Sequence, residues 1–67
     1  MSLEEKRGIV ADFLLRCVSY ANDSIERKRN RGEDEGEISK WVAYRDFTEL
    51  AVMEVESGVL DAWLEEE

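Results

Sequence analysis

The stretch that most restricts what this chain can fold into is Ser39 to Leu64, SKWVAYRDFTELAVMEVESGVLDAWL. It holds both tryptophans and no proline, and strict apolar–polar alternation never lasts more than a few residues, so a strand is excluded. Wound at about 100° per residue, it gives a helix with two apolar faces. The broad face carries Trp41, Tyr44, Phe47, Ala51, Val52, Val55, Val59, Ala62 and Trp63. A narrower strip, offset by roughly a third of a turn, carries Val42, Leu50, Met53, Leu60 and Leu64. Arg45, Glu49 and Glu56 divide the two on one side, Glu54 and Asp61 on the other. One neighbouring helix cannot cover so much apolar circumference. The broad face is expected to pack on the first helix, and the five residues of the strip to form an interface with a further partner.

Ala51, Gly58 and Ala62 line up between the larger side chains. A glycine inside a helix costs about 1 kcal/mol, which a close backbone approach would offset. Two readings follow. Either the helix continues through Gly58, or Ser57-Gly58 breaks it and Val59 to Leu64 forms a separate short turn. The apolar phase is kept across Gly58, which favours the continuous helix.

A chain of 67 residues is one small domain. Chains of this size seldom bury enough core to stand alone and are commonly secured by disulfides, a structural metal or oligomerisation. With Cys17 as the single cysteine and no histidine, an intramolecular disulfide and an ordinary zinc site are excluded, which leaves oligomerisation. A net charge of −8 argues against nucleic acid as a partner. That acidity fits either a salty cytoplasm, in which carboxylate repulsion is screened, or simply an acidic soluble protein. No stretch has the length of apolar sequence that a membrane span needs. The first residues, MSLEEKRG, lack the basic-then-apolar layout of an export signal, so the expectation is cytoplasmic.

At the N-terminus Ser2-Leu3-Glu4-Glu5 has the pattern of a capping box, with the Ser2 hydroxyl accepting from the Glu5 amide and the Glu5 carboxylate reaching back to the Ser2 amide. From Leu3 the apolar positions follow a heptad-like course through Val10, Phe13, Leu14, Cys17, Tyr20, Ala21 and Ile25, against a polar side of Glu5, Asp12, Arg16, Ser19, Asp23 and Glu26. Cys17 lies within the apolar stripe and, with no histidine to lower its pKa, reads as a core residue.

The first helix should end near Arg29-Asn30-Arg31-Gly32, where cations complement the dipole and Gly32 takes the left-handed cap. Glu33-Asp34-Glu35-Gly36-Glu37 then sets carboxylates at the next helix N-terminus. Arg27 to Arg31 is weaker as a phosphate patch because acids surround it. The acidic run fails as a calcium loop, since the register set by Gly36 puts Arg31 and Val42 where carboxylates are required. Asp46 with Glu49, and Asp23 with Glu26, have the spacing by which some all-α nucleotide pyrophosphohydrolases hold magnesium, but the second-helix pair is not duplicated. The C-terminal Glu65-Glu66-Glu67 is unfavourable at a helix C-terminus and should fray.

Asp12-Phe13-Leu14 followed by Ser19-Tyr20, and later Gly58-Val59-Leu60-Asp61-Ala62, resemble patterns in short archaeal helical proteins of a domain-of-unknown-function family. That resemblance implies a helical hairpin and an archaeal source. It supplies no catalytic residues.

The expected architecture is an all-α antiparallel two-helix hairpin, a single domain with helices near 3–28 and 37–64 joined by residues 29–36. Two hairpins would pair through Val42, Leu50, Met53, Leu60 and Leu64 into a four-helix bundle. The expected function is a non-enzymatic structural or interaction module that forms a homodimer, with no cofactor and no catalytic or metal residues. The alternatives are an accessory subunit of a larger enzyme and, more distantly, a magnesium-dependent nucleotide pyrophosphohydrolase.

Overall fold

Helix α1 (Leu3–Asn30) starts where Ser2 can cap it: the Glu5 amide donates to Ser2 Oγ at 3.1 Å. The reciprocal half of the box differs from expectation, because the Glu5 carboxylate accepts from the Ser2 hydroxyl rather than from its amide. Helix α2 (Glu35–Ser57) begins two residues before the expected Glu37, with the Asp34 carboxylate accepting from the Gly36 amide at 3.1 Å. A third, five-residue helix α3 (Asp61–Glu65) follows. The computed structural model describes residues 1–65, so the expectation of fraying at Glu66 and Glu67 lies outside the described residues.

Both long helices stop by the same device. At the end of α1 the Gly32 amide donates to Arg29 O and the Glu33 amide to Lys28 O, with Gly32 at φ +71°. At the end of α2 the Gly58 amide donates to Val55 O and the Val59 amide to Glu54 O, with Gly58 at φ +89°. Each is a Schellman motif, which needs a left-handed residue that glycine supplies at least cost. The second one corrects the expected continuous helix over residues 37–64. Helix two ends at Ser57, and Gly58 serves as its cap rather than as a point of close helix approach. A long-range pair holds the chain beyond the break: Arg7 on α1 grips the Asp61 carboxylate with two N–H groups, one of them Nε at 2.8 Å, and Lys6 Nζ donates to Leu64 O at 3.1 Å. A Cβ on Gly58 would meet Asp61 Oδ2 at 3.1 Å.

The two long helices pack antiparallel into a slab of 45 × 19 × 15 Å, which is two helices wide and one thick. On α1 the seam runs through Leu3, Arg7, Val10, Leu14, Cys17, Ala21, Ser24 and Lys28, and on α2 through Ile38, Trp41, Arg45, Thr48, Val52 and Val55. All are buried or half-buried, and they follow the alternating three-and-four spacing of a coiled-coil seam. The buried apolar set is small: Ala11, Ala21, Ile25, Ile38, Val52 and Val55. Two polar groups share it. The Thr48 hydroxyl donates to Tyr44 O at 2.7 Å, and Ser24 Oγ accepts from Arg27. No helix is long and apolar enough to cross a membrane among the described residues.

Candidate functional site

A seam one helix wide leaves apolar side chains on its flanks. Tyr44 and Phe47, expected against α1, are 45% and 72% exposed, and Phe13 and Tyr20, expected in the stripe of α1, are 64% and 58% exposed. The reason is geometric. Each lies just outside its three-and-four seam, where the partner helix cannot reach. In an antiparallel pair these flanks meet on the same side of the slab. The rings record this directly: Tyr20 of α1 lies 5.9 Å from Trp41 of α2, which lies 5.9 Å from Tyr44. Phe13 lies seven residues before Tyr20, with Ile9 one turn earlier, and Phe47 lies three after Tyr44. Ile9, Phe13, Tyr20, Tyr44 and Phe47 therefore form one aromatic face, floored by half-buried Cys17, Trp41 and Ala51. Val59 and Trp63, also expected in the core, are exposed beyond the Gly58 break.

The five residues of the expected strip are scattered. Leu50 and Met53 are 51% and 67% exposed on the back of α2, and Val42 is half-buried beside the seam. Leu60 and Leu64 are half-buried past the break, where α3 folds onto α1. The strip is thus not continuous. The aromatic face was hidden in the sequence because apolar residues flank the seam on both helices, while polar Arg45 and Thr48 sit within it.

The opposite side of the slab is polar. Arg45 donates from Nη1 to Asn22 Oδ1 across the helices at 3.2 Å and contacts Asp46 and Glu49 on its own helix. Glu4, Asp12, Glu56 and Leu15 line the shallow depression near the free ends. Asp46 and Glu49, the pair that could suggest magnesium, therefore face Arg45. No group of three or more potential metal ligands forms among the described residues.

At the loop end of the aromatic face, Lys28 Nζ lies 5.6 Å from the Trp41 ring centroid and within 4 Å of two carboxylates, Glu33 at 3.9 Å and Glu37 at 3.8 Å. Cys17 is a free thiol beside Tyr44; sharing a hydrogen bond with it holds the Tyr44 phenol above its ordinary pKa. At the other end the Arg7 guanidinium holds the Asp61 carboxyl below its ordinary value through their hydrogen bonds. No family model, curated protein or solved structure matches the chain.

Proposed function

We propose that the chain is a non-enzymatic helical interaction module whose aromatic face pairs with that of a second copy to make a four-helix bundle. The observation that carries this reading is the contrast between face and core. Five large apolar side chains stand 45–72% exposed on one side, while the core holds two alanines, two valines and two isoleucines. At roughly 150–250 Å² for a whole aromatic side chain, the five offer on the order of 600 Å² of exposed surface. That is at the top of the range for the largest apolar patch on a monomer. Doubled by a two-fold axis, it reaches the lower end of the range for specific interfaces, about 1,200 Å².

Pairing is assigned to this face rather than to Val42, Leu50, Met53, Leu60 and Leu64, because the Gly58 break separates the first three, on α2, from Leu60 and Leu64 beyond it. Phe13 and Phe47 are the anchors, being the most exposed aromatic side chains of the face. Sedimentation velocity on the chain expressed alone tests the proposal. The parent should be a folded dimer and Phe13→Glu a monomer. A folded monomeric parent overturns self-association, and a molten or aggregated parent points to an accessory subunit that needs a different chain.

A further inference from the structure

A groove of about 290 Å³ opens at the loop end of the aromatic face, lined by Tyr20, Glu37, Lys40, Trp41 and Tyr44. We infer that it binds a methylated ammonium group, the chemistry shared by choline and trimethyl-lysine, between the three rings with the Glu37 carboxylate at the rim.

The rings are arranged for a rounded cation. Tyr20 and Trp41 are inclined at 60° and Trp41 and Tyr44 at 76°, so neither pair is stacked flat and each offers a rounded group two differently turned walls. Ring faces carry negative quadrupole potential and attract cations, most strongly at tryptophan. Trp41 already receives an ammonium internally, since Lys28 Nζ lies 5.6 Å from its centroid and is drawn there by Glu33 and Glu37. Net charge favours the same sign of ligand, with 17 acidic residues against 9 basic. An unmodified ammonium is compact and strongly hydrated, so water competes for it. Methylation removes that hydration and gives the cation an apolar surface that fits a groove walled by rings. Lys40 opposes the ligand from the rim, where it is exposed.

The test follows the indole N–H resonances of the full chain during titration with choline, at constant ionic strength set with sodium chloride. Trp63 is 76% exposed on α3, outside the groove, and serves as the internal reference. Trp41 should shift saturably with a Kd in the millimolar range, as befits a few cation–π contacts at exposed rings, while Trp63 stays still. The neutral isostere, in which a tertiary butyl group replaces trimethylammonium, should bind at least tenfold more weakly. Tyr44→Leu keeps apolar bulk but removes a π face, and should lose about tenfold in affinity while circular dichroism remains that of the parent. Lys40→Gln should tighten binding two- to threefold. Pairing would cover Tyr20 and Tyr44, so Phe13→Glu, outside the groove and monomeric, should bind at least as tightly as the parent, which separates this inference from the proposal of pairing. Equal binding of the neutral isostere, equal movement of both indoles, parental affinity in folded Tyr44→Leu, or loss of binding in Phe13→Glu would each overturn it. Tighter binding of a trimethyl-lysine peptide than of choline assigns a protein partner; the reverse order assigns a small solute, and either supports the site.

Discussion

The two sides of the slab are made from the same two helices, yet they solve opposite problems. On one side the groove between α1 and α2 is bridged by Arg45 and Asn22 and bordered by Asp46, Glu49 and Glu56, so water can lie over it at little cost. On the other, Tyr20, Trp41 and Tyr44 meet across the groove, and Phe13 and Phe47 extend the apolar surface away from the loop. Ile9, Phe13 and Tyr20 fall on one flank of the α1 seam, and Ala11, Val18 and Ile25 fall on the other. The flank with small or branched residues is buried or half-buried, and the flank with aromatic rings stands out. The size of the flanking side chains, rather than their hydrophobicity alone, decides which side of a two-helix slab is closed.

Placing a carboxylate on each side gives the sharpest break of that comparison. Phe13→Glu on the aromatic side should dissociate the proposed pair, since each lost aromatic contact is worth roughly 1.5–3 kcal/mol and a two-fold axis would count it twice. Leu15→Glu, on the polar side and 49% exposed, should leave assembly unchanged. Equal dissociation of both in the ultracentrifuge would mean that the two sides do not differ in role.

Screening acts on both sides at once. With a net charge of −8 per chain, potassium chloride raised from low to molar concentration should increase the melting temperature, more for the parent than for Phe13→Glu if the parent pairs, because pairing would double the charge. A flat or falling melting temperature removes carboxylate repulsion as a controlling term and with it the halophilic reading.

A smaller effect belongs to the end of the slab. Gly58→Ala must place a Cβ at φ +89° and 3.1 Å from Asp61 Oδ2, so it should cost about 1–2 kcal/mol and loosen α3 while both sides keep their form. Chemical denaturation measures the cost, and amide exchange at Leu64 reports the loosening.

The smallest change is set by pH. Arg7 depresses the Asp61 carboxyl below its ordinary 3.8, so the docked form of α3 binds fewer protons than the free form. Docking is therefore fully supported above pH 3.8 and lost as pH falls through the depressed value. Leu64 amide protection, with exchange taken relative to the intrinsic rate at each pH, should fall over that range in the parent. Asp61→Asn should lack this step. If acid release of α3 also altered assembly, the free end would have to be counted with the aromatic side.

What could be read in the sequence divides along the same physical line as what is local and what is not. Ser2 and Gly32 act on backbone groups within a few residues, and the capping of α1, its left-handed stop and the all-helical hairpin are legible from them, whereas the Asp34 cap starts α2 two residues before the expected Glu37. Gly58 uses the same local device as Gly32, but the apolar phase on either side of it argued for continuity. What settles the break beyond it is a partner more than fifty residues away, Arg7, which no periodicity contains. The assignment of faces failed for a related reason. Arg45 and Thr48 lie in the α2 seam, and their polarity moved the apparent apolar centre onto Tyr44 and Phe47. A hydrogen bond from Thr48 to Tyr44 O and one from Arg45 to Asn22 make those seam positions tolerable. Neither bond leaves a mark in hydropathy.

Among the described residues of the single hairpin, no large side chain is wholly withdrawn from water. Unfolding it alone exposes less apolar surface than unfolding a pair would, so its heat-capacity increment should be the smaller and its stability should change more gently with temperature. Such a hairpin should melt over a wider interval than a pair. Adding the aromatic face to the buried area of a pair would raise the increment and narrow the transition, and the midpoint would then move with protein concentration. The abundance of the chain, as much as its sequence, would set the temperature at which it is folded.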